Sequence, residues 1–189
     1  MFDKLIFTLA DIRLIRKVSV NIDDFDLYAQ EVQRNFLQKL LGDKLYTALQ
    51  ADLDANNAPQ EDRFTDLING EIYTDGHDVI YRGLKLYCSY VWLYLYINEA
   101  STQITPLGAM LFKDEQAESA EGKQSFRNAR DHYIRAADGL EEPILRYLRH
   151  KENLFPEFSE SAQIETAEKS NFAFKVIGRK IMPPNEFLM

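Results

Sequence analysis

The sequence predicts a mostly α fold: a helical bundle around a central aromatic-rich helix, with short strands or extended arms at the N-terminus, after the central helix and at the C-terminus. Three observations predict it. Residues 79–100, VIYRGLKLYCSYVWLYLYINEA, are the most apolar stretch of the chain. From Leu86 to Ile97 they are apolar or aromatic nearly all the way round, with Ser89 the small polar interruption. A helix apolar on every face belongs inside a protein, whereas one apolar stripe belongs on its surface. Apolar residues elsewhere recur at three- and four-residue steps, the helical period. Clusters of Asn, Gly and Pro cut the chain at helix-sized intervals. A membrane span needs roughly 20 apolar residues. Here Arg82, Lys85, Asn98 and Glu99 bracket a shorter run, so no span is expected.

Taken in order, residues 2–20 are expected to be irregular, with one or two short strands. Leu5, Phe7 and Leu9 alternate as in a strand, and Asp11 to Arg16 allow one helical turn. The first clear helix starts at Asn21 or Asp23, whose side chains can accept from free N–H groups of the first turn. Phe25, Tyr28, Val32, Phe36 and Leu40 share one face, and Gly42 is placed to end it. Asp43 is expected to cap a second helix carrying Leu45, Leu49 and Leu53. Asn56-Asn57-Ala58-Pro59 is a loop. A short helix carries Phe64, Leu67 and Ile68, and Asp75-Gly76 is a turn before the central helix.

Beyond Ala100 the chain turns extended, because Pro106 disfavours helix at Thr105 as well. Leu107-Gly108 reads as a turn, and Met110-Leu111-Phe112 as an apolar strand or arm. The last long helix runs from Ala117 or Gly122 to His150 with a stripe of Phe126, Ala129, Tyr133, Ala136, Leu140, Ile144 and Leu148. Pro143 should kink or break it, since it lacks an N–H and crowds the preceding turn. Phe155 to Phe158 end a domain of residues 1–158. Residues 159–189 form an extended C-terminal arm, in which 172–178 have strand composition. That strand either pairs with another subunit or folds back on residues 2–20.

Composition narrows function mainly by exclusion. The chain has 189 residues and a net charge of −8. Free-standing DNA or RNA binding usually needs a basic stripe, and none is present. Lys169, Lys175, Arg179 and Lys180 give the tail a modest positive bias, which suits either solvent or an acidic partner. Cys88 is the single cysteine, so no intrachain disulfide can form. The N-terminus lacks the apolar core of a secretory signal, and a cytoplasmic place of assembly is expected.

No catalytic constellation stands out. His77, His132 and His150 have no metal-ligating partner at helical spacing. Cys88 lies inside the apolar stretch, where a thiol behaves as a small hydrophobe. The acid pairs Asp23-Asp24, Glu61-Asp62 and Glu141-Glu142 read as helix caps or surface charge. Tyr81, Tyr87, Tyr90, Tyr94 and Tyr96 fall on several faces of one helix, which suits core packing better than a stacking platform. The expectation is no enzyme, no cofactor and no metal.

The order of pieces resembles a family. NIDDFDLYAQEVQRNFLQKLLGDKLYTAL, residues 21–49, has an acidic helix start, an apolar-Leu-Gly stop and a short Leu/Tyr helix. GLKLYCSYVWLYLYINEASTQITPLGAM, residues 83–110, passes from an aromatic helix into an arm of type Thr-Pro-aliphatic-Gly, here Thr105-Pro106-Leu107-Gly108. Both resemble the helical head–tail connector, or adaptor, proteins of tailed bacteriophages, in the versions of Bacteroides-type and crAss-like phages. The likeness covers residues 1–155. It implies a virion structural protein, a ring of twelve copies below the portal that joins the DNA-filled capsid to the tail. It implies no catalytic residue. Its implied partners are further copies of the chain, the portal and other neck or tail proteins, with DNA as passing cargo. Inter-subunit contacts are then expected from the arms: Ile104, Leu107, Met110, Leu111 and Phe112, and Phe172, Phe174, Val176 and Ile177. The reading from another class is a stand-alone bacterial protein-binding or regulatory module of helical fold.

Overall fold

Helix α6 (Leu84–Ala100) is the rod that the other elements cover. In the computed structural model, which describes residues 3–18, 22–100, 102–105, 108–111 and 120–158, no residue from Leu84 to Ile97 is exposed. Trp92 and Leu93 are completely enclosed. The Trp92 ring stacks on Tyr96 at 4.9 Å and meets Phe25 at 5.7 Å, while its indole N–H donates to the Phe25 carbonyl at 3.2 Å. An all-apolar helix is thus central, as predicted, but it begins at Leu84. Val79–Tyr81 belong to a strand instead.

The N-terminal segment departs from the strand expectation. Residues 3–18 contain no strand, and Leu9–Ile15 form helix α1. A capping box starts it: the Thr8 hydroxyl accepts from the Asp11 N–H, and the Asp11 carboxylate accepts from the Thr8 N–H. Upstream, the peptide groups are satisfied by glutamine side chains where a strand would use a neighbour. Gln30 accepts from the Asp3 N–H at 2.9 Å and donates to the Asp3 carbonyl at 2.6 Å. Gln50 does the same for Lys4, at 2.9 and 3.0 Å. Gln33 accepts from the Ile6 N–H at 2.8 Å and donates to the Lys4 carbonyl at 2.9 Å. A primary amide presents the same donor and acceptor as a peptide. Three glutamines therefore replace a missing strand, and Ile6 and Phe7 sink into the core beside it.

The next rod consists of α2 (Ile22–Val32), a single π turn (Gln33–Leu37) and α3 (Gln38–Leu41). The π turn inserts one residue, so the buried face runs Phe25, Ala29, Val32 and then jumps five places to Leu37, Leu40 and Leu41. Phe36, expected on the core stripe, is only half-buried, and Gln33 is turned fully inward. Gly42, at φ +78°, ends the rod as expected. Asp43 is the first residue of α4 (Asp43–Asp52) rather than its cap, and accepts from the Gln38 amide at 2.9 Å. Leu45, Leu49 and Leu53 are buried together.

Helix α5 (Asp62–Asn69) carries Phe64, Leu67 and Ile68 inward. Then β1 (Glu71–Thr74) and β2 (Asp78–Tyr81) pair antiparallel, with Ile72 opposite Ile80. The Asp75-Gly76 turn closes this hairpin and does not lead straight into α6. Gly70 and Gly83 bring the end of α5 against the start of α6. A Cβ on Gly83 would lie 2.5 Å from the Ile68 carbonyl oxygen, and one on Gly70 2.4 Å from that of Tyr81. Both have positive φ, so glycine is needed twice over.

After α6, β3 (Thr102–Thr105) and β4 (Gly108–Leu111) form a second antiparallel hairpin. Helix α7 (Ala120–His150) then packs along α6 and continues through Pro143 unbroken. The expected break is absent because the helix is held on both sides of the proline. Gly139, four residues earlier, and Pro143 both face solvent, where the carbonyl left without its N–H donor can be hydrated. Tyr133 and Ala137 before the proline, and Ile144, Leu145, Tyr147 and Leu148 after it, are held in the core. Residues 151–158 fold back so that Phe155 and Phe158 are buried, Phe155 at 6.1 Å from Phe64. Arg63 fixes this end: its guanidinium bonds Glu157 at 3.0 Å and the Leu154 carbonyl at 2.7 Å.

Candidate functional site

Three features of the fold are candidates for contact with a partner, and two of them carry exposed apolar side chains. The first is the β3–β4 hairpin. Ile104 and Leu111 take positions on one face of it and Met110 on the other, since paired residues share a face and successive ones alternate. For these residues the backbone alone is described. Leu107, Phe112, Phe172, Phe174, Val176 and Ile177, the other expected contact residues, lie outside the described residues, as does the arm 159–189.

The second feature is the outer face of the β1–β2 hairpin. Its inner face is spent on packing: Tyr81 stacks on Tyr147 at 4.1 Å and Tyr73 meets the same ring at 5.5 Å. Alternation then turns Ile72 and Ile80 outward, side by side, each 69% exposed. Beside them is an open cleft of about 290 Å³ whose walls include Ile80, Arg82, Leu140, Pro143 and Ile144. Asp138 and Glu141 lie on other faces of α7 than the cleft-lining Gly139, Leu140, Pro143 and Ile144. Burial pushes both carboxyls above their ordinary range, and Glu141 accepts from the Tyr87 hydroxyl at 3.1 Å. Sequence reading missed this surface. The two isoleucines are eight positions apart, and only the hairpin register makes them neighbours.

The third feature is the outer face of α1. Leu14 is 87% exposed, and Arg13, Arg16 and Lys17 around it are exposed as well.

Reactive groups are placed as structural ones. Cys88 is completely buried, and burial raises its thiol far above the ordinary value. His150 packs its ring 4.8 Å from Tyr73, and His132 lies 5.3 Å from Tyr133. Among the described residues no group of His, Cys, Asp and Glu is arranged to hold a metal ion. No helix among them is long and apolar enough to cross a membrane. Tyr87 is buried and Tyr90, Tyr94 and Tyr96 half-buried around the axis of α6, whereas Tyr81, expected on the same helix, is buried at the end of β2.

Residues 37–168 match the model of a family described as a family of unknown function, DUF6712. The chain belongs to the DUF6712 family. The matched span begins in the π turn and takes in the rod α6, both hairpins and α7. It leaves out α1, α2 and the clamped N-terminal segment. No curated protein and no solved structure matches the chain.

Proposed function

We propose that this DUF6712 protein is a head–tail connector: a virion structural subunit that forms a ring below a phage portal and joins the capsid to the tail. The observation that carries this reading is the β3–β4 hairpin. It follows directly on α6, and Thr105 and Gly108, which bound the stretch that resembles a connector arm, pair with each other at its end. A lone two-stranded hairpin is marginal in water and gains stability from a surface to lie on. A neighbouring subunit in a ring supplies one. The net charge of −8 supports the reading in a second way. An acidic channel repels DNA phosphates, so DNA slides past without sticking.

The test is assembly with and without a phage portal protein, followed by light scattering and negative-stain microscopy. Rings, or monomers that form rings on the portal, are expected. A chain that stays monomeric with the portal and instead forms a discrete complex with a soluble bacterial protein would overturn the proposal in favour of a regulatory module. The lumen face offers an independent check, since a basic lining would remove the sliding argument.

A further inference from the structure

The sequence contains one Asn-Gly pair, Asn69-Gly70. Such a pair carries its own reaction. The Gly70 amide nitrogen can give up its proton and attack the Asn69 Cγ, because glycine has no Cβ to obstruct the approach. A new N–C bond closes a five-membered succinimide, the bond from Cγ to the side-chain nitrogen breaks, and ammonia leaves with the proton. Water then opens one of the two ring carbonyls. One opening leaves an aspartyl residue at position 69. The other leaves an isoaspartyl link, in which the main chain runs through the former side chain. Water is consumed, ammonia is released, and nothing is oxidised or reduced.

The fold holds each reacting group out of place. Asn69 is the last residue of α5, and the Gly70 N–H donates the bond that ends this helix, to the Asp66 carbonyl at 2.8 Å. Helical side chains lean toward the N-terminus. The Asn69 amide accordingly donates to the Thr65 carbonyl at 3.0 Å, one turn back and away from the Gly70 nitrogen. The start of α6 closes the remaining space. A Cβ on Gly83 would lie 2.5 Å from the Asn69 carbonyl carbon and 2.6 Å from the Gly70 nitrogen. The backbone of Gly83 therefore sits against the atoms that must swing to close the ring. Separating them would expose Leu67, Ile68 and Leu84, all buried, and would break the bond from the Tyr81 hydroxyl to the Leu67 carbonyl at 2.8 Å. Asn69 itself is exposed to water, so geometry alone withholds the reaction.

We infer that Asn69-Gly70 is a deamidation site which the α5–α6 junction keeps closed, and that its isoaspartyl product cannot rejoin the fold. The isoaspartyl link lengthens the main chain by one carbon. It displaces the Gly70 nitrogen from the Asp66 carbonyl in a place where Gly83 leaves no room. The aspartyl product keeps the backbone and can refold. A folded chain thus preserves its asparagine, while one that stays open is marked irreversibly. The inference stands on the junction and is independent of the connector reading.

The experiment incubates the full-length protein in mildly alkaline buffer, native and in guanidinium, and follows the tryptic fragment of residues 64–82 by mass spectrometry. Native protein should deamidate at Asn69 about a hundredfold or more slowly than unfolded protein, because the rate follows the population of the opened junction. Tyr81→Phe keeps the ring and removes the buried bond. It should speed the native reaction about fivefold while its unfolded rate stays that of the parent. After dilution from guanidinium, aspartyl chains should return to the folded fraction and isoaspartyl chains should not. Equal native and unfolded rates, or a native Tyr81→Phe rate equal to the parent's, would overturn the closed junction. An Asn69 that persists in guanidinium while other asparagines react would overturn the site. Isoaspartyl chains that refold and melt with the parent would overturn the exclusion of the product.

Discussion

Replacing Gln33 tests the glutamine clamp most directly. Its amide is completely buried, and it makes two bonds to the backbone of the N-terminal segment. Gln33→Ala removes both, with unequal consequences. The Lys4 carbonyl keeps its bond from Gln50 at 3.0 Å, whereas the buried Ile6 N–H loses its acceptor. Each bond is worth roughly 1 kcal/mol net, and an orphaned buried donor costs about 1–3 kcal/mol, so the expected loss is about 2–4 kcal/mol. For a domain of this size that is a fall of about 5–15 °C in Tm. Gln50→Ala should cost only about 1 kcal/mol, since Gln50 is half-buried and water can reach the groups it frees. Gln33→Glu adds a sign. Its carboxylate still accepts from Ile6 but faces the Lys4 carbonyl without a proton to share. Burial raises such a carboxyl's pKa, so the lost stability should return as pH falls through it. Urea melts followed by circular dichroism, with hydrogen exchange at the Ile6 amide, give the readout. If Gln33→Ala lies within about 0.5 kcal/mol of the parent and Ile6 exchanges no faster, the clamp does not hold the segment.

Other outcomes follow from the same geometry. Trp92→Ala should cost about 3–5 kcal/mol by denaturant melt, with Trp92→Phe milder because most of the ring volume remains; an unchanged melt would remove α6 from the centre. Arg63→Lys keeps the charge but loses the fork to Glu157 and the Leu154 carbonyl. It should cost about 1–2 kcal/mol and speed proteolysis within residues 151–158, so equal cleavage of parent and variant would count against the anchor. Glu141 has its carboxyl held above the ordinary 4.5 by burial and by Asp138, although the Tyr87 hydroxyl works the other way. An acid with a raised folded pKa opposes folding when ionised, so stability should rise as pH falls toward that pKa. It should then fall at lower pH as Glu157 and Asp75, whose pKa values are lowered in the fold, take up protons. Glu141→Gln should raise Tm at pH 7 and reduce the first rise, with Asp138 and Asp66, also raised by burial, supplying the rest, and a Tm profile across acidic pH decides it.

Much of the fold was legible because its signals are local or cumulative. The length and apolarity of α6 made it central whatever its neighbours. Gly42, the Asn56–Pro59 loop, the α5 helix and the extended stretch after Ala100 follow from backbone preferences that act within a few residues. Even the α1 start was present as Thr8-Leu9-Ala10-Asp11, a capping box hidden by the alternation of Leu5, Phe7 and Leu9. That alternation did not mark two faces, since the neighbours Ile6 and Phe7 are both buried; the segment's bonding partners were the unreadable part.

What sequence by itself determined is the inventory: one rod too apolar for the surface, amphipathic helices to cover it, and turn residues where the chain reverses. Tertiary structure decided the pairings. Gln30, Gln33 and Gln50 become strand substitutes only when α2 and α4 stand on either side of residues 3–6. The five-residue jump from Val32 to Leu37 becomes a π turn only because Gln33 has a buried backbone to reach. Ile72 and Ile80 become one patch only through hairpin register, and Pro143 stays helical only because α7 is gripped on both sides of it. Backbone preference acts between near neighbours, whereas these choices depend on which distant groups end up without water.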